Sequence, residues 1–570
     1  MNLRVSTLIC GAVSLASASS AFAQSVPLPV NIGDAVRQGE QARMAAPPRP
    51  VAAPVLPQLA EKPFALADKA TLFVRRFEID GPGLVESADI RAALAPFERR
   101  KLTITEIYAA AEKITTLYRA KGYLVAKAYV PAQDARRGTL RVKILAGRWG
   151  ETTLQNASLV GDNFLRGVID AARADAPFIH KDPLENSLLR IGDLPGAATP
   201  RIIIGAGGQP EATDLVYAVP EGRRFDGFLS GDNFGSPYTG RDRLNGAVNI
   251  NSPLGISDRL EISGIVAERA HLANSRVAYG FPIGYDGLRG EIGAFRTTYK
   301  LGGVYKDLDA AGSAYAVTGT VSYPVQRHRD ESIYVAANFT YKWLNDKVGD
   351  ASIAYRAVAL GTVSINRDAV QTLFGFPIAT TANLSFSTGN VNYPDALQAL
   401  ANRFGADTQG AFYKINLSTS AAVALDEKFS FSTSLRAQKS LSRNLDTSEQ
   451  IGVSGFFGVR SFDEGLAGDS GLIVTPELRY SLPEIFGYRH SAGVFTDIGA
   501  AWIENASYTV TQKSYTPAKD VGLSYRGDFE FSPGSRFFIR AEIAHSYGER
   551  DKLLNYDRRT KGLVQIGVAF

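Results

Sequence analysis

The chain has 570 residues, enough for several domains, and its 62 basic residues nearly balance its 57 acidic residues. A net charge of +5, without a basic cluster interleaved with aromatic side chains, argues against nucleic acid as a partner. The mean hydropathy of −0.07 is far too low for a bundle of membrane-spanning helices.

Residues 1–23 have the pattern of a secretory signal peptide. Arg4 supplies the positive charge, an apolar run follows it, and residues 21–23 form an A-x-A cleavage site. Cys10, the only cysteine of the chain, lies inside this segment. We therefore expect an exported mature chain in which disulfides, thiol nucleophiles and cysteine–zinc sites are excluded.

Residues 24–69 are predicted to form a short plug helix and a proline-rich linker. Asn31 is suited to cap a helix over residues 31–45. The residues expected on the apolar side of this helix are Ile32, Ala35 and Val36. Residues 46–63 contain six prolines, a composition that favours extended polyproline II and makes a semi-rigid spacer. A disordered tail is the alternative interpretation of the whole segment.

Residues 70–148 are predicted to form the first of two small α/β units, in the order β-α-α-β-β. Thr103 and Glu106 form a capping box at the start of the second helix, and Gly122 is suited to end it. Apolar residues recur at helical spacing between these two signals. The strands are expected over residues 72–79, 124–130 and 140–145.

Residues 149–221 are predicted to repeat this unit. Helices are expected near residues 163–173 and 183–191, and Asp182-Pro183 fits an N-cap followed by proline at the first helical position. The closing strands are expected over residues 201–204 and 214–219.

Residues 222–570 alternate between apolar and polar, strand after strand, from Phe225 onward. Charged residues at every second position need water on one face, whereas the apolar phase needs lipid or a protein core. This period of two, behind an export signal and without an apolar run of about 18 residues, predicts an all-β transmembrane barrel. About 345 residues, at about 20–22 per strand and connection, give about 16 strands. A soluble β-sandwich or propeller is the alternative.

The last predicted strand ends on one outward phase: Val564, Ile566, Val568 and Phe570. This strand must close against the first strand of the barrel, which places the terminal aromatic ring at the membrane boundary. We therefore expect Phe570 to direct assembly of the barrel.

Two short segments stand out within the barrel region. Arg460 follows a predicted strand over residues 451–457 and begins a long polar connection to the strand over residues 472–480. Asp497 lies on the inward phase of another predicted strand. An arginine on a loop folded into the lumen would find this carboxylate, and such a pair is costly to break away from bulk water.

These segments resemble the V-R-G-[FY] loop motif and the F-x-D-x-G strand motif of the outer-membrane transporters built from POTRA domains and a barrel. The matching residues are Val459, Arg460, Ser461 and Phe462 in the loop, and Phe495, Asp497 and Gly499 in the strand. Ser461 replaces the motif glycine, and because serine is small we expect the turn to survive. Within this superfamily the chain looks most like the two-partner secretion transporters, which export haemolysins and filamentous haemagglutinins.

The resemblance implies a monomeric transporter in the outer membrane of a Gram-negative bacterium, with both α/β units as periplasmic POTRA domains. Its substrate would be an unfolded exoprotein, β-helical when folded and encoded beside this gene, which the barrel passes to the cell surface. Outer-membrane lipid would surround the barrel, and the barrel assembly machinery would recognise its terminal strand. No cofactor, metal or catalytic residue is expected, because no motif supports one.

Three other functions stay open at this point. A factor that inserts other barrels into the membrane is the first, although such factors usually carry more POTRA units. A passive porin is the second, but it would not need residues 70–221. An enzyme is the third, and the Gly-Asp-Ser-Gly pattern at residues 468–471 lacks the residues that frame a protease nucleophile.

Overall fold

The computed structural model describes residues 31–44, 70–135, 137–173, 176–209, 211–463, 465–509, 512–548 and 559–570. The predicted signal peptide and the predicted proline-rich linker lie outside these residues. The described chain forms an N-terminal helix, two α/β units and a closed antiparallel barrel, which confirms the predicted fold class.

Helix α1 (Ile32–Met44) begins where the sequence predicts. Asn31 caps it, because its Oδ1 accepts hydrogen bonds from the N–H groups of Gly33 (2.9 Å) and Asp34 (3.2 Å). The buried apolar residues of this helix are Ile32, Ala35 and Val36. They pack against the inner wall of the barrel, so α1 lies in the lumen.

The first α/β unit, unit 1, packs two helices with two small sheets. Its elements are β1 (Thr71–Val74), β2 (Arg76–Asp80), α2 (Ser87–Leu94), β3 (Arg100–Thr103), α3 (Ile104–Ala120), β4 (Lys127–Tyr129) and β5 (Thr139–Leu145). Strand β2 runs parallel to β5, which also pairs with β4, whereas β1 pairs with β3. The single strand predicted over residues 72–79 is therefore wrong. It breaks at Arg75, whose N–H donates to the Gly138 carbonyl (2.7 Å).

Helix α3 confirms the predicted signals at both of its ends. The N–H of Glu106 donates to Thr103 Oγ1, and the N–H of Thr103 donates to the Glu106 carboxylate, which completes a capping box. The hydrogen bond from the Thr103 backbone lowers the pKa of Glu106 below its ordinary value. After the helix, Gly122 adopts φ 98°, a left-handed conformation that favours glycine.

The second α/β unit, unit 2, packs two helices on a three-stranded sheet. Its elements are β6 (Arg148–Asn156), α4 (Asp162–Arg173), α5 (Lys181–Gly192), β7 (Arg201–Ala206) and β8 (Ala212–Val219), with β8 central in the sheet. The predicted cap at Asp182 is wrong, because His180 is the N-cap and its Nδ1 accepts from the Asp182 N–H (3.3 Å). A contact with unit 1 fixes this ring, since its Nε2 lies 3.0 Å from the Lys121 carbonyl oxygen.

The barrel has 16 antiparallel strands, the number expected from the sequence. The first eleven are β9 (Phe225–Asp232), β10 (Arg243–Asn251), β11 (Arg259–Ala267), β12 (Leu272–Pro282), β13 (Arg289–Lys300), β14 (Ala310–Arg327), β15 (Glu331–Val348), β16 (Ala351–Leu373), β17 (Phe376–Asn392), β18 (Gly410–Ala424) and β19 (Phe429–Ser440). Helix α6 (Ala396–Phe404) lies between β17 and β18, and a short hairpin of β20 (Ile451–Gly452) and β21 (Ala467–Gly468) follows β19. The last five are β22 (Ser470–Ser481), β23 (Tyr488–Trp502), β24 (Tyr515–Ser532), β25 (Ser535–Ser546) and β26 (Thr560–Ala569).

The strands have the two phases that the sequence predicts. In β23, Val494 and Ile498 are exposed on the outer face, whereas Phe495 and Asp497 are buried on the inner face. In the part of the chain that the structure describes, no helix is long and apolar enough to cross a membrane. Because the strand number is even, the first strand begins and the last strand ends at the same rim, the one that carries unit 2. The connections between strands alternate between this rim and the opposite one, which we call the far rim.

The seam that closes the barrel is short. Strands β26 and β9 pair over five residues, Gln565–Ala569 with Phe228–Asp232, whereas β25 and β26 pair over ten. Beyond this ladder, the backbones of Phe570 and Gly227 exchange two hydrogen bonds of 2.9 and 3.0 Å. The terminal residue is therefore the last link of the closed ladder, on the outward phase that the sequence predicts.

The strand predicted over residues 451–457 is wrong. Its first two residues pair as β20 with β21, a single bridge joins Ser454 to Val459, and the segment as a whole belongs to the connection between β19 and β22. This connection, residues 441–469, starts at the far rim and folds back into the barrel, and we call it the lumen loop. Its apolar side chains are buried by packing on the wall, so their apolar run needs no strand partner.

Candidate functional site in the barrel lumen

The lumen loop carries residues 459–462 onto the inner wall. Val459 and Phe462 are buried in an apolar cluster with Val453 of the loop and Ile473 of β22. The N–H of Val459 donates to the Val453 carbonyl (2.8 Å), which closes the loop on itself at this point. This packing fixes the direction in which the next residue, Arg460, leaves the loop.

The Arg460 guanidinium is the centre of the site. Its Nε and Nη2 donate to the two carboxylate oxygens of Asp497 at 2.9 and 3.1 Å, and its Nη1 donates to Glu542 at 2.8 Å. Its Cζ lies 3.4 Å from the centre of the Phe495 ring. Arg460, Asp497 and Glu542 are 6%, 0% and 7% exposed. The structure thus brings Arg460 and Asp497 together in a buried, two-pronged pair.

Ser461 fits the turn without strain. It is not among the residues with a positive φ, so the loop does not need the glycine of the motif for its backbone conformation. Its N–H donates to Asp520 Oδ2 (2.7 Å), and Asp520 Oδ1 accepts from the Asp497 N–H (3.3 Å). Two carboxylates of neighbouring strands therefore lie side by side beneath the loop.

Gly499 provides the space in which the loop approaches the wall. A Cβ at this position would lie 2.6 Å from Cγ1 of Val453 and 2.8 Å from Cγ2 of Val459. Any larger residue would push the loop away from β23, and Arg460 with it. The glycine of the strand motif is therefore explained by close packing.

Asp463 ties the lumen loop to the connection between β9 and β10 and to the last strand, β26. Its carboxylate accepts two hydrogen bonds from Arg241, after β9, at 3.0 and 3.1 Å, and forms an ion pair with Lys561 of β26 at 2.8 Å. Beside this contact the rings of Phe456 and Phe234 stack with their centres 3.6 Å apart. The motif end of the loop therefore bridges the short seam from inside.

The first part of the lumen loop contacts the opposite wall. Glu449 accepts hydrogen bonds from Lys342 of β15 (2.7 Å) and Lys414 of β18 (2.9 Å), and all three are buried. Asp446 forms an ion pair with Arg356 of β16. The loop therefore crosses the lumen from one wall to the other and is held by charged side chains at both ends.

Helix α1 packs directly on the lumen loop. Arg37 donates a hydrogen bond to the Thr447 carbonyl, and the N–H of Ile32 donates to Asp346 of β15 (3.0 Å). Gly33 approaches so closely that a Cβ there would lie 2.4 Å from the carbonyl carbon of Thr447. Helix and loop therefore fill the lumen as one packed body, beside a remaining cavity of about 590 Å³.

A sequence profile supplies the family of this protein. The profile of the haemolysin secretion/activation proteins ShlB/FhaC/HecB matches residues 211–518, more than half of the chain. The chain belongs to this family. The profile of the ShlB-type POTRA domain matches residues 72–147, so unit 1 of the transporter is a POTRA domain.

Similar proteins cover nearly the whole transporter. The heme/hemopexin transporter protein HuxB of Haemophilus influenzae (strain 86-028NP) is 24% identical over 548 residues, which are 94% of this chain and 95% of that protein. The solved structure of CdiB from Escherichia coli matches with a TM-score of 0.68 at 20% identity, over 94% of this chain and 96% of that one. BamA from Haemophilus ducreyi, lacking POTRA domains 1–3, matches with a TM-score of 0.50 at 15% identity, over 88% and 100%.

The family and these relatives place the transporter in the outer membrane, as a component of two-partner secretion with its POTRA domains in the periplasm. Its far rim is therefore extracellular, and the lumen loop is a connection that enters the barrel from the outside. The relatives are named as transporters, and none of those named here is an enzyme.

Three acidic residues of the transporter site were not predicted from the sequence: Glu542, Asp520 and Asp463. The first two lie on the inward phase of β25 and β24, which is the signal that could have found them. Phase alone does not give their height in the barrel, and Asp463 lies in a loop without periodicity. Within the described ranges, no group of three or more His, Cys, Asp or Glu side chains is arranged to hold a metal.

Proposed function

We propose that this transporter exports one unfolded exoprotein, which binds the POTRA domains and then passes through the barrel to the cell surface. The observation that supports this is the filling of the lumen by two segments, the lumen loop and α1, that are not part of the wall. Barrels of about 16 strands leave an aqueous channel when nothing fills them. Displacing both segments would open a path wide enough for an extended polypeptide.

Unit 2 offers a strand edge to that polypeptide at the entrance of the barrel. Strand β7 lies at the edge of its sheet, and Ile203 projects from it into solvent. An extended peptide can add to such an edge through backbone hydrogen bonds. Arg327 of β14 donates to both carboxylate oxygens of Asp193 (2.7 and 2.8 Å), which holds unit 2 against the periplasmic rim.

Helix α1 is proposed to act as a plug that leaves the lumen during export. One buried side chain opposes its docking, because both amide atoms of Gln38 make no hydrogen bond within the described residues. A buried amide without partners costs about 1–3 kcal/mol relative to the hydrated state. The helix is therefore held firmly enough to close the pore and weakly enough to be released.

The partners of the proposed cycle follow from this arrangement. The exoprotein is proposed to be β-helical when folded and to be encoded beside this gene, and its folding outside the cell would give transport its direction. The barrel assembly machinery would insert the transporter through its terminal strand, and the transporter would work as a monomer without enzymatic activity. An assembly factor for other barrels is the less favoured function, because the fold is more similar to CdiB than to BamA.

Co-expression in a Gram-negative host tests the proposal. The transporter and the long secreted protein encoded beside its gene should together place that protein in the medium, and the transporter alone should not change the level of other barrels. Ile203→Glu should reduce export, whereas Leu254→Glu, which changes an exposed residue of a periplasmic turn outside unit 2, should not. A neighbour protein that stays in the periplasm while other barrels increase would favour the assembly factor.

A further inference from the structure

Helix α6, on the extracellular side between β17 and β18, is amphipathic in the reverse sense of an ordinary surface helix. Leu397, Leu400 and Phe404 are 77%, 50% and 80% exposed. At about 100° per residue these three side chains fall within an arc of about 60°. Gln398 and Asn402 lie on the opposite side of the helix, and those polar residues face the protein.

Gln398 attaches the helix to the bare edge of β16. Strand β17 pairs with β16 only as far as Ala357, so residues 351–356 of β16 extend beyond their neighbour. The Gln398 side chain accepts from the Tyr355 N–H (2.6 Å) and donates to the Ser352 carbonyl (3.0 Å). The helix therefore occupies the place in the wall that a longer β17 would fill.

Asn402 fixes which side of the helix faces the lumen. Its amide nitrogen donates to Tyr393 Oη (3.2 Å), and its amide oxygen accepts from the Thr408 N–H (3.0 Å). Tyr393 packs against the apolar cluster that surrounds α1 inside the barrel. The face opposite Asn402, which carries the three exposed apolar side chains, therefore points away from the pore.

The apolar face of α6 continues the lipid-facing surface of the barrel. Tyr355 of β16 is exposed on the same outward phase as Val363, farther down the strand. Trp343 and Tyr315 form a cross-strand pair of exposed aromatic rings, as expected at a membrane boundary. Tyr355 lies two residues beyond Ala357, the cross-strand partner of Trp343, so the position on β16 to which Gln398 binds is about 7 Å from that boundary.

We propose that α6 is an interfacial anchor whose three apolar side chains enter the acyl-chain region of the outer leaflet beside the barrel. Reversed amphipathicity has no use in water, since it exposes apolar surface and turns polar groups inward. At the edge of a bilayer it matches both neighbours, because the apolar face meets lipid and the polar face meets the protein. The helix would hold the tall hairpin of β15 and β16 at a fixed height above the membrane.

Fluorescence quenching by brominated lipid tests this proposal. The only cysteine, Cys10, lies in the predicted signal peptide, so Leu400→Cys and Phe404→Cys in the mature chain would give single labelling sites for an NBD probe. Each labelled protein is reconstituted in phosphatidylcholine vesicles that contain lipid brominated near the headgroup. Val363→Cys is the lipid-facing control, and Phe73→Cys, 50% exposed in the periplasmic POTRA domain, is the water-facing control. Heat-modifiable migration checks that every variant is folded.

Both α6 probes should be quenched at least half as strongly as the probe at residue 363, and far more than the probe at residue 73. Quenching at both sites no stronger than at residue 73 would overturn the proposal. A blue shift of the NBD emission that appears only at high protein density would mean that a second copy of the chain covers the apolar face of α6. A blue shift that requires exoprotein would mean that the exported chain covers it. Either result without lipid quenching would also overturn it.

Discussion

Replacing Arg460 with alanine should release the lumen loop from its wall and stop most export. The substitution leaves the Asp497 and Glu542 carboxylates buried without the cation that pairs with both. It also removes the guanidinium from the Phe495 ring. The barrel wall itself keeps all of its backbone hydrogen bonds, so the variant should still insert and fold.

The size of the effect follows from the burial of the pair. Breaking a buried ion pair from one side costs about 3–5 kcal/mol. Water in the lumen favours the lower end of this range. A cost of about 3 kcal/mol corresponds to about a 150-fold decrease in the ratio of docked loop to released loop. Asp497→Ala should destabilise the docked loop less than Arg460→Ala does, because Arg460 then keeps its ion pair with Glu542. Lys439→Ala should change the ratio less than about fivefold, because its ion pair with Glu504 is 61% exposed on the lysine side.

The released loop can be measured by alkylation of Ser461→Cys. The Ser461 side chain is buried, and cysteine is similar to it in size, so this background variant should keep the loop docked. A membrane-impermeant maleimide on intact cells should label it about 100-fold faster in the Arg460→Ala protein, because labelling follows the open population. Export is then measured as exoprotein in the medium per folded transporter.

An unchanged labelling rate in the Arg460→Ala protein would refute the reasoning about the buried pair. Fast labelling combined with normal export would show that the loop is released but that its docked position has no role in transport. A control with Lys439→Ala that behaves like Arg460→Ala would mean that any loss of charge in this region has the same effect.

Three further predictions concern the rest of the chain. Deleting residues 70–221 should abolish exoprotein binding and leave a heat-modifiable barrel, because the two units have cores of their own; binding by the isolated barrel would contradict this. Deleting residues 31–45 should raise single-channel conductance in planar bilayers. Gly33→Leu should also raise it, because the leucine side chain would collide with the lumen loop. If the deletion and Gly33→Leu both have the conductance of a Glu40→Ala control, this result would count against a plug. Deleting Phe570 should lower the folded protein in the outer membrane without changing export per folded molecule, as pulse-labelling with a heat-modifiability assay can separate; normal folding with slow export would assign this residue to the pore instead.

Local patterns predicted the wall of the barrel and the orientation of its side chains. Alternation placed Asp497 inside and Val494 outside, because each residue of a strand must point to one face or the other. The capping box at Thr103 was equally readable, since all of its contacts lie within four residues. Such features depend on neighbours in the sequence and need no knowledge of the fold.

Contacts between distant segments could not be predicted in this way. Glu542 meets Arg460 only because strand registers bring it to the same height in the barrel, and no sequence period records that height. The run at residues 451–457 has the composition of a strand, but only its start pairs in a short hairpin, and the loop packs Ile451 and Val453 against the wall. His180 replaced the expected cap at Asp182 because unit 1 packs against its ring. In each case a tertiary neighbour decided between local alternatives.

The close packing of α1 against the lumen loop has a consequence for the cell as a whole. An unfilled barrel of this size would admit solutes that the outer membrane normally keeps out, including antibiotics too large for porins. On the proposed mechanism, every exported chain requires an interval in which α1 is displaced, and the permeability of the envelope then depends on how long that interval lasts. Bacteria that carry Gly33→Leu should therefore become sensitive to bulky antibiotics even when no exoprotein is made.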